Sequence, residues 1–219
     1  MPNPRVNEKE RLLLIYDLLE AHFGDLKWWP GDSPFEVIVG AILTQNTAWR
    51  NVEIAIGNLK SKEVLSPEGI LATEDGVLAE LIRSSGYHHV KTRRLKSFVR
   101  YLYGEYGGNL EVMFSENLQA LRDKLLTVKG IGEETADSIL LYGGGKPIFV
   151  IDAYTRRILD RHDIIRADAI YMDMQNLFMS HIPQSVPLYN QYHALLVNTG
   201  KHFCRKTPRC NECPLRMLF

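Results

Sequence analysis

Apolar side chains recur every three or four positions along most of this 219-residue chain, a spacing that puts them on one face of an α-helix. The first such segment opens with Asn7-Glu8-Lys9-Glu10, a pattern typical of a capped helix start, and ends at Gly24. The second follows Ser33-Pro34 and is apolar at nearly every position up to Leu43. Its pattern predicts a helix that is buried on all sides.

Eight further segments have helical periodicity and are separated by glycine, proline, asparagine and serine. They cover about residues 48–61, 74–84, 90–105, 117–127, 133–142, 153–162, 171–181 and 185–202. No segment alternates apolar and polar residues as a half-buried strand does. The sequence therefore predicts an all-α fold.

Two of these helices are joined by a short connection, Gly130-Ile131-Gly132. Glycines on both sides allow a tight turn with positive φ, and the isoleucine can anchor that turn in the core. Backbone amides at the start of the following helix then suit a phosphate oxygen. A plain turn between two helices is the alternative on these residues alone.

An aspartate follows at a defined distance. After the break Gly143-Gly144-Gly145, an apolar run ends in Val150-Ile151 and is followed by Asp152. This position predicts a helix N-cap. Downstream of a phosphate-binding turn, Asp152 is also placed to act at the sugar of a nucleotide.

Residues 128–136 together with 150–152 resemble the helix-hairpin-helix and Gly/Pro/Asp signature of the endonuclease III superfamily of DNA glycosylases. The resemblance extends from about Phe35 to Cys213. It implies two helical lobes with a DNA cleft between them: a lobe over 32–146 that contains the hairpin at about 121–142, and a lobe formed by 1–31 and 147–219. It also implies double-stranded DNA as the partner and Asp152 as the catalytic carboxylate, which stabilises positive charge on the sugar and activates water.

The resemblance implies a role for the polar end of the apolar helix as well. Gln45 matches the glutamine that fills the gap left by a flipped nucleotide, whereas the residues alone also allow a helix cap or a surface site. The DNA-binding residues expected on this basis are Gln45, Asn46, Lys91, Lys129, Gly130, Ile131, Gly132 and Thr135.

The chain departs from the bifunctional members of that superfamily at one position. Those members carry a nucleophilic lysine at the second position after the Gly-x-Gly turn, where this chain has Glu134. A glutamate cannot form a Schiff base, and Lys129 precedes the turn. The resemblance and this departure together indicate a monofunctional glycosylase that uses water, although Glu134 also suits a helix N-terminus on electrostatic grounds.

All three tryptophans flank the apolar helix. They could be ordinary core residues, or they could stack against an extruded base, and a positively charged N-alkylated purine would favour aromatic faces. Their arrangement resembles the bacterial 3-methyladenine DNA glycosylases of the superfamily, which implies a base pocket lined by Trp28, Trp29, Pro30, Trp49 and Glu134. The alternatives are a mismatch or damaged-pyrimidine glycosylase, a bifunctional AP lyase, and a non-catalytic helix-hairpin-helix module.

The three cysteines, Cys204, Cys210 and Cys213, are clustered near the C-terminal end. Clustered thiols in a cytosolic protein indicate metal ligation before disulfides. The resemblance implies a [4Fe–4S] cluster on four cysteines, but the first gap is one residue short and the expected fourth position is Phe219. A fourth ligand from His202 or from outside the chain, zinc held by Cys₃His, and no metal all remain open.

Charge and composition change this picture little. The 26 basic and 26 acidic residues cancel, but residues 81–104 contain no acidic side chain, which indicates either a DNA-facing surface or a solvated helix face. No apolar run is long enough for a membrane span, and the first residues lack the pattern of a signal peptide. We therefore expect a cytosolic monomer.

Overall fold

The structure, a computed structural model, describes residues 7–28, 31–166 and 168–218, and every regular element in these ranges is helical. The predicted all-α fold is confirmed. Across these ranges, no helix is both long and apolar enough to cross a membrane. In chain order the α-helices are α1 (Glu8–Phe23), α2 (Pro34–Leu43), α3 (Trp49–Ser61), α4 (Pro67–Ala72), α5 (Asp75–Leu81), α6 (His88–Tyr106), α7 (Leu110–Ser115), α8 (Leu118–Thr127), α9 (Glu133–Ser138), α10 (Ala153–Arg161), α11 (Tyr171–His181) and α12 (Val186–His202).

The helices divide into two compact units. One is the central unit, Trp29–Lys146, and the other is the terminal unit, which combines Met1–Trp28 with Pro147–Phe219. The central unit therefore contains α2 to α9, and the terminal unit contains α1 and α10 to α12.

Helix α2 forms the core of the central unit. Its residues Phe35–Gly40, Ile42 and Leu43 are buried, as predicted from its nearly continuous apolar sequence. The two arms of the hairpin, α8 and α9, are joined by a buried ion pair in which Arg122 Nε and one terminal nitrogen lie 2.7 and 3.1 Å from the two oxygens of Asp137. Such a two-point contact fixes the relative orientation of the helices as well as their distance.

Aromatic side chains form the core of the terminal unit. The ring of Phe149 stacks on that of Phe178 with the centroids 3.9 Å apart, and Tyr189 and Tyr192 of α12 pack edge-on against Phe149. Edge-on and stacked pairs both match the charge distribution of aromatic rings. This cluster anchors the extended segment before α10 onto α11 and α12.

Helix α10 packs closely on α12 because Gly200 has no side chain. A Cβ atom on Gly200 would lie 2.3 Å from a ring carbon of Tyr154, which is far inside van der Waals contact. The glycine thus allows Tyr154 of α10 to lie directly on the backbone of α12.

The observed elements differ from the predicted ones where helices are short or irregular. The six-residue helices α4 and α7 have no counterpart among the predicted segments, since so few residues cannot display a helical period. The predicted helix at 133–142 is α9 followed by a π-helical turn, Ile139–Gly143. The predicted segment 74–84 ends in a 3₁₀ turn, Arg83–Ser85.

Candidate functional site

The turn of the hairpin has the backbone geometry that its glycines allow. Gly130 has a φ of +95°, and Ile131 is buried and donates its amide to the carbonyl of Val128 at 3.0 Å. A Cβ on Gly130 would lie 2.4 Å from Cγ of Arg94, so both the conformation and the packing require glycine. A Cβ on Gly132 would meet no other atom of the described residues within 4 Å, which leaves this side of the turn open to approach.

The side chain of Gln45 is bound to this turn. Its Nε2 donates to the carbonyl of Gly130 at 3.0 Å and to the hydroxyl of Thr135 at 2.9 Å. Its Oε1 accepts a hydrogen bond from the guanidinium of Arg94. Gln45 therefore stabilises the turn in this conformation, and these bonds must open before its side chain can enter a DNA helix.

Asn46, the second member of the predicted amide pair, has a different environment. It is exposed and has a φ of +56°, a left-handed conformation that asparagine tolerates better than most residues. The two neighbouring amides therefore differ. The side chain of Gln45 is hydrogen-bonded within the protein, whereas Asn46 is exposed to solvent.

Lys91 requires a correction. It was expected to bind DNA, but only 1% of its surface is exposed, and its ammonium donates to the carbonyls of Leu43 at 2.9 Å and Ser85 at 2.6 Å. Burial lowers the pKa of Lys91 to about 8. Lys91 therefore joins the end of α2 to the turn before α6 and is not available to a phosphate.

Two residues of this region were missed in the sequence analysis. Arg94 packs over Gly130 and holds Gln45, whereas Tyr87 is 72% exposed with a φ of +46°. An exposed aromatic ring in a strained conformation is unusual for a purely structural residue. The sequence features that could have indicated them are the acid-free segment for Arg94 and the Gly86-Tyr87 break before a basic helix for Tyr87.

We refer to Gln45, Lys91, Arg94, Gly130 and Thr135 as the hairpin assembly.

The other predicted residues of the central unit that the structure describes lie beside the hairpin turn or on α3. Lys129 and Glu134 are exposed on either side of the turn. Trp49 is half-buried, with its ring against the backbone of Gly40 and its Nε1 donating to Glu53 at 3.0 Å. The ring of Trp49 is therefore held in a fixed orientation.

Asp152 is the N-cap of α10, as predicted. Its Oδ1 accepts from the amide of Thr155 at 2.7 Å, and only 12% of its side chain is exposed. The extended segment before it is held by α11, because Gln175 donates to the carbonyl of Phe149 at 2.7 Å and the Ile151 amide donates to the hydroxyl of Tyr171 at 3.2 Å. One carboxylate oxygen is thus held by a main-chain amide, and the segment before Asp152 is held by side chains of α11.

A histidine that no sequence pattern indicates lies beside this carboxylate. Nε2 of His193, on α12, is 3.8 Å from Oδ2 of Asp152. Burial lowers the pKa of His193, the Asp152 charge opposes that effect, and the nearby Lys201 adds to it. The imidazole is therefore neutral at pH 7 and does not offset the negative charge of Asp152. Nothing in the sequence distinguishes His193 from the other six histidines.

The tryptophans before α2 belong in part to the terminal unit. Trp28 is half-buried, and the ammonium of Lys201 lies 5.6 Å from the centroid of its ring. This cation–π contact uses one face of the ring. Trp29 and Pro30 lie outside the described residues.

The three cysteines line one cavity of about 220 Å³. Cys204 and Cys213 are buried, Cys210 is exposed, and all three are free thiols. Burial raises the pKa of Cys213. Other side chains that line the cavity are those of Arg161, His162 and Phe203. Within the described residues, no group of three or more His, Cys, Asp or Glu side chains is close enough to hold a single metal ion.

The loop that carries Cys204 is held by two arginines of α10. Arg157 Nε donates to the carbonyl of Cys204 at 2.7 Å, and Arg161 donates to the carbonyls of Arg205 at 2.6 Å and Lys206 at 3.2 Å. Arg161 also lies 3.4 Å from Sγ of Cys204. These contacts organise the cavity wall. Phe219, the expected fourth cysteine position, lies outside the described residues.

His202 is close in sequence to Cys204, but it does not line the cavity. His202 is exposed, and its ring lies 6.5 Å from those of Phe23 and Phe203. It therefore packs against the end of α1, and His162 is the histidine that lines the cavity.

Comparisons with known proteins identify relatives of similar sequence and fold. A protein of Methanocaldococcus jannaschii that is provisionally named a DNA repair glycosylase is 41% identical over 211 residues, 96% of each chain. The structure of H. pylori 3-methyladenine DNA glycosylase bound to 1,N6-ethenoadenine matches with a TM-score of 0.76 at 27% identity and covers 89% of this chain and 97% of that one. A trapped endonuclease III–DNA covalent intermediate matches in fold with a TM-score of 0.83 at 23% identity, covering 96% of this chain and 94% of that one.

The family model described as HhH-GPD superfamily base excision DNA repair protein matches residues 39–184, a range that contains both the hairpin turn and Asp152. The resemblance to the endonuclease III superfamily is therefore confirmed, and the chain belongs to the HhH-GPD superfamily of base excision DNA repair proteins.

Proposed function

We propose that this DNA glycosylase is monofunctional, that it hydrolyses the N-glycosidic bond with Asp152 as the catalytic carboxylate, and that it acts on alkylated purines such as 3-methyladenine. The observation that carries the proposal is the environment of Asp152. One oxygen caps α10, and the other lies beside a neutral, buried histidine in a largely buried site.

This environment suits the chemistry of glycosidic bond cleavage. As the base departs, positive charge develops on the sugar, and a fixed carboxylate stabilises it without having to reorient. The same carboxylate can orient and deprotonate the attacking water. Because Oδ1 is engaged by the Thr155 amide, Oδ2 is the oxygen that performs these roles.

His193 is a positioning residue in this scheme. At 3.8 Å its Nε2 is too far from Oδ2 for a direct hydrogen bond, and the imidazole acts by filling the space beside the carboxylate with a neutral group. A protonated histidine at this distance would offset part of the negative charge that the sugar cation needs.

Glu134 supports hydrolysis without strand cleavage. It occupies the position at which bifunctional relatives carry their lysine, and it is exposed in the first turn of α9. A carboxylate there cannot form an imine with the sugar, so water is the nucleophile.

The hairpin assembly supports DNA binding through the main chain. Gln45, Arg94 and Thr135 hold the turn at Gly130. The open side of Gly132 leaves room for a phosphate at the start of α9. Lys129 and Asn46 are exposed near this turn and contribute polar contacts to the DNA backbone.

The alkylated-purine assignment depends on the tryptophans and on one relative. The ring of Trp49 has a fixed orientation, and a rigid aromatic face stacks on a cationic purine with little loss of conformational freedom. The 27% identical H. pylori enzyme acts on 3-methyladenine by name. The sequence resemblance also assigns Trp28, Trp29, Pro30 and Glu134 to the base pocket.

One observation favours a second candidate, a uracil or thymine glycosylase. The ammonium of Lys201 already lies on the ring of Trp28. A positive charge at this position repels a cationic base and does not repel a neutral pyrimidine.

We also propose an iron–sulfur cluster at the cysteine cavity, as the family resemblance implies. What supports it is that three thiols line a single cavity of about 220 Å³. When bound, a [4Fe–4S] cluster would cross-link the cysteine segment to itself and contribute folding free energy. Cys204, Cys210 and Cys213 would hold it.

The experiment that tests the proposed function is a base-release assay on duplex DNA with 3-methyladenine, 7-methylguanine, uracil opposite guanine, or a G·T mismatch. We expect release of the alkylated purines, and strand breaks only after alkali. Asp152→Asn is the inactive control.

Other outcomes separate the parts of the proposal. Release of uracil or thymine alone would replace the substrate class but keep Asp152. Breaks without alkali, together with a borohydride-trapped adduct, would overturn the monofunctional mechanism. Binding without any release would indicate a non-catalytic DNA-binding protein.

A further inference from the structure

We propose that Lys91 is a positioning residue for DNA recognition, because its buried ammonium connects the end of α2 that leads to Gln45 with the turn that presents the ring of Tyr87. This inference rests on the DNA binding proposed above, and it depends neither on Asp152 nor on the choice of damaged base. Lys91, Gln45 and Tyr87 all belong to the central unit.

The two carbonyls that Lys91 binds come from segments far apart in the chain. The carbonyl of Leu43, the last residue of α2, lies 2.9 Å from the ammonium, and Gln45 follows two positions later. The carbonyl of Ser85 lies 2.6 Å from the same ammonium, and Tyr87 follows two positions later. One ammonium therefore fixes the distance between these two segments.

Lys91 also holds the turn of Tyr87 through the main chain. The amides of Lys91 and Val90 donate to the carbonyl of Tyr87 at 3.0 and 2.9 Å. Tyr87 has a left-handed conformation, with φ +46° and ψ +34°, and 72% of its surface is exposed. A strained conformation of this kind persists only where the surrounding structure determines it, and such residues cluster at functional sites. The amide and the ammonium of Lys91 together provide that support.

An exposed aromatic ring on a fixed backbone suits a nucleic acid. Bases stack on aromatic side chains without a sequence requirement, because every base has a π-face. Gln45 is bound to the hairpin turn through the carbonyl of Gly130, and Leu43 connects this region to Lys91. The ring of Tyr87 and the hairpin turn thus contact one DNA duplex at two points, and Lys91 sets the separation of these points.

The charge of Lys91 makes this connection sensitive to pH. Burial, with a smaller contribution from Arg94 on the same helix, lowers the pKa of Lys91 to about 8. Hydrogen bonds from an ammonium are stronger than those from a neutral amine, so the connection weakens as Lys91 loses its proton. Other charged side chains on the elements packed against α6 have different surroundings: Glu36 pairs with Lys60, Asp75 with Lys96, Glu80 with Arg83 and Glu68 with Tyr103, and Glu111 is exposed.

Lys96 provides a matched control on the same helix. It is also buried, and its ammonium donates to the carbonyl of Thr73 at 2.6 Å and to the carboxylate of Asp75. These partners lie at the junction of α4 and α5, so Lys96 connects a different pair of segments. Lys91→Met and Lys96→Met each place an apolar side chain at a buried position of α6, but only the first removes the connection to Tyr87.

The test is a double-mutant cycle on the affinity for duplex DNA that contains a tetrahydrofuran abasic-site analogue, a ligand that requires no base release. In the otherwise wild-type protein, Tyr87→Ala should raise Kd by about five- to a hundredfold, the effect expected for the loss of one stacked base. In Lys91→Met the same substitution should change Kd by less than about threefold, because the ring is no longer held in place. In Lys96→Met it should keep its full effect.

A second measurement needs no variant of Lys91 and remains valid if Lys91→Met does not fold. The Kd of the wild type should rise roughly three- to tenfold between about pH 7 and pH 9.5, and that of Tyr87→Ala should rise less. Equal effects of Tyr87→Ala in all three backgrounds, or a pH dependence that Tyr87→Ala retains in full, would overturn the proposal.

The outcome for the proposed function is read separately. Wild-type protein that did not bind the duplex would overturn both the proposed DNA binding and the role of Lys91. Absence of base release together with the expected dependence of Tyr87 on Lys91 would count against the proposed mechanism alone and would support the role of Lys91.

Discussion

The hairpin assembly and the Asp152 segment use polar groups in opposite ways. At the hairpin, the side chains of Gln45, Arg94 and Thr135 are hydrogen-bonded to the protein, and the turn presents its backbone. At Asp152, side chains of α11 hold the backbone, and the carboxylate oxygen Oδ2 is presented.

This difference corresponds to two tasks. Binding a DNA backbone needs no information about sequence, so main-chain amides held in one orientation are sufficient. Cleaving a glycosidic bond needs a charge at one point, which only an ionised side chain can supply. A polar residue in such a protein can therefore be essential without touching DNA.

The largest effect should follow from Asp152→Asn. Asparagine is as good an N-cap as aspartate, so α10 should remain intact while the charge is lost. We expect base release under single-turnover conditions to fall by about 10² to 10⁴-fold with DNA affinity unchanged. Release at a near-normal rate would show that Asp152 is only a structural cap.

The next effect concerns the packing that supports the Asp152 segment. Gly200→Ala would place a methyl group 2.3 Å from Tyr154 and force α10 away from α12. Overpacking of this kind destabilises a protein by about 1–3 kcal/mol, which denaturant unfolding would measure. The control is Gly57→Ala on the exposed face of α3, where no described atom lies within 4 Å of a new Cβ and alanine should stabilise by about 0.5–1 kcal/mol. Equal effects of the two substitutions would contradict the proposed close packing.

A pH-dependent effect is expected from Lys91 in the central unit. Its pKa is about 8 in the folded protein and returns to its normal higher value on unfolding, so unfolding takes up a proton at pH 8 to 10. Folding stability of the wild type relative to Lys91→Met should therefore rise by about 2 kcal/mol over this range. A constant difference between the two unfolding curves would mean that Lys91 is not buried.

The smallest effect should come from Arg94→Met, which removes the hydrogen bond to Gln45 and the cover over Gly130. Loss of a hydrogen bond to a charged group costs about 1.5 kcal/mol, or roughly tenfold in Kd for DNA. Because Arg94 acts through the turn, the loss should persist at high salt, and the rate of base release at saturating protein should not change.

Arg93→Met is the matched control, since it removes the same charge from an exposed position on the same helix. Its effect on Kd should disappear as salt rises. If the two variants shared one salt dependence, Arg94 would be a direct phosphate ligand.

Much of this molecule follows from local sequence. The all-α fold, the buried helix α2, the hairpin and the N-cap at Asp152 each depend on the spacing of apolar residues or on conformational limits of glycine and aspartate. These are properties of short segments, so they are visible without knowledge of the fold. The short helices α4 and α7 are the limit of this approach, because six residues do not complete two helical turns.

The tertiary structure alone decided which polar side chains meet. Lys91 is buried, although the basic stretch indicates a DNA contact. Arg94 is hydrogen-bonded to Gln45, and His193 lies beside Asp152, although the two residues of each pair are far apart in the chain. The tertiary structure also placed His162, and not His202, in the wall of the cysteine cavity. The physical reason is that a hydrogen bond or a shared cavity depends on distances set by helix packing, and a sequence records only the order in which the helices occur.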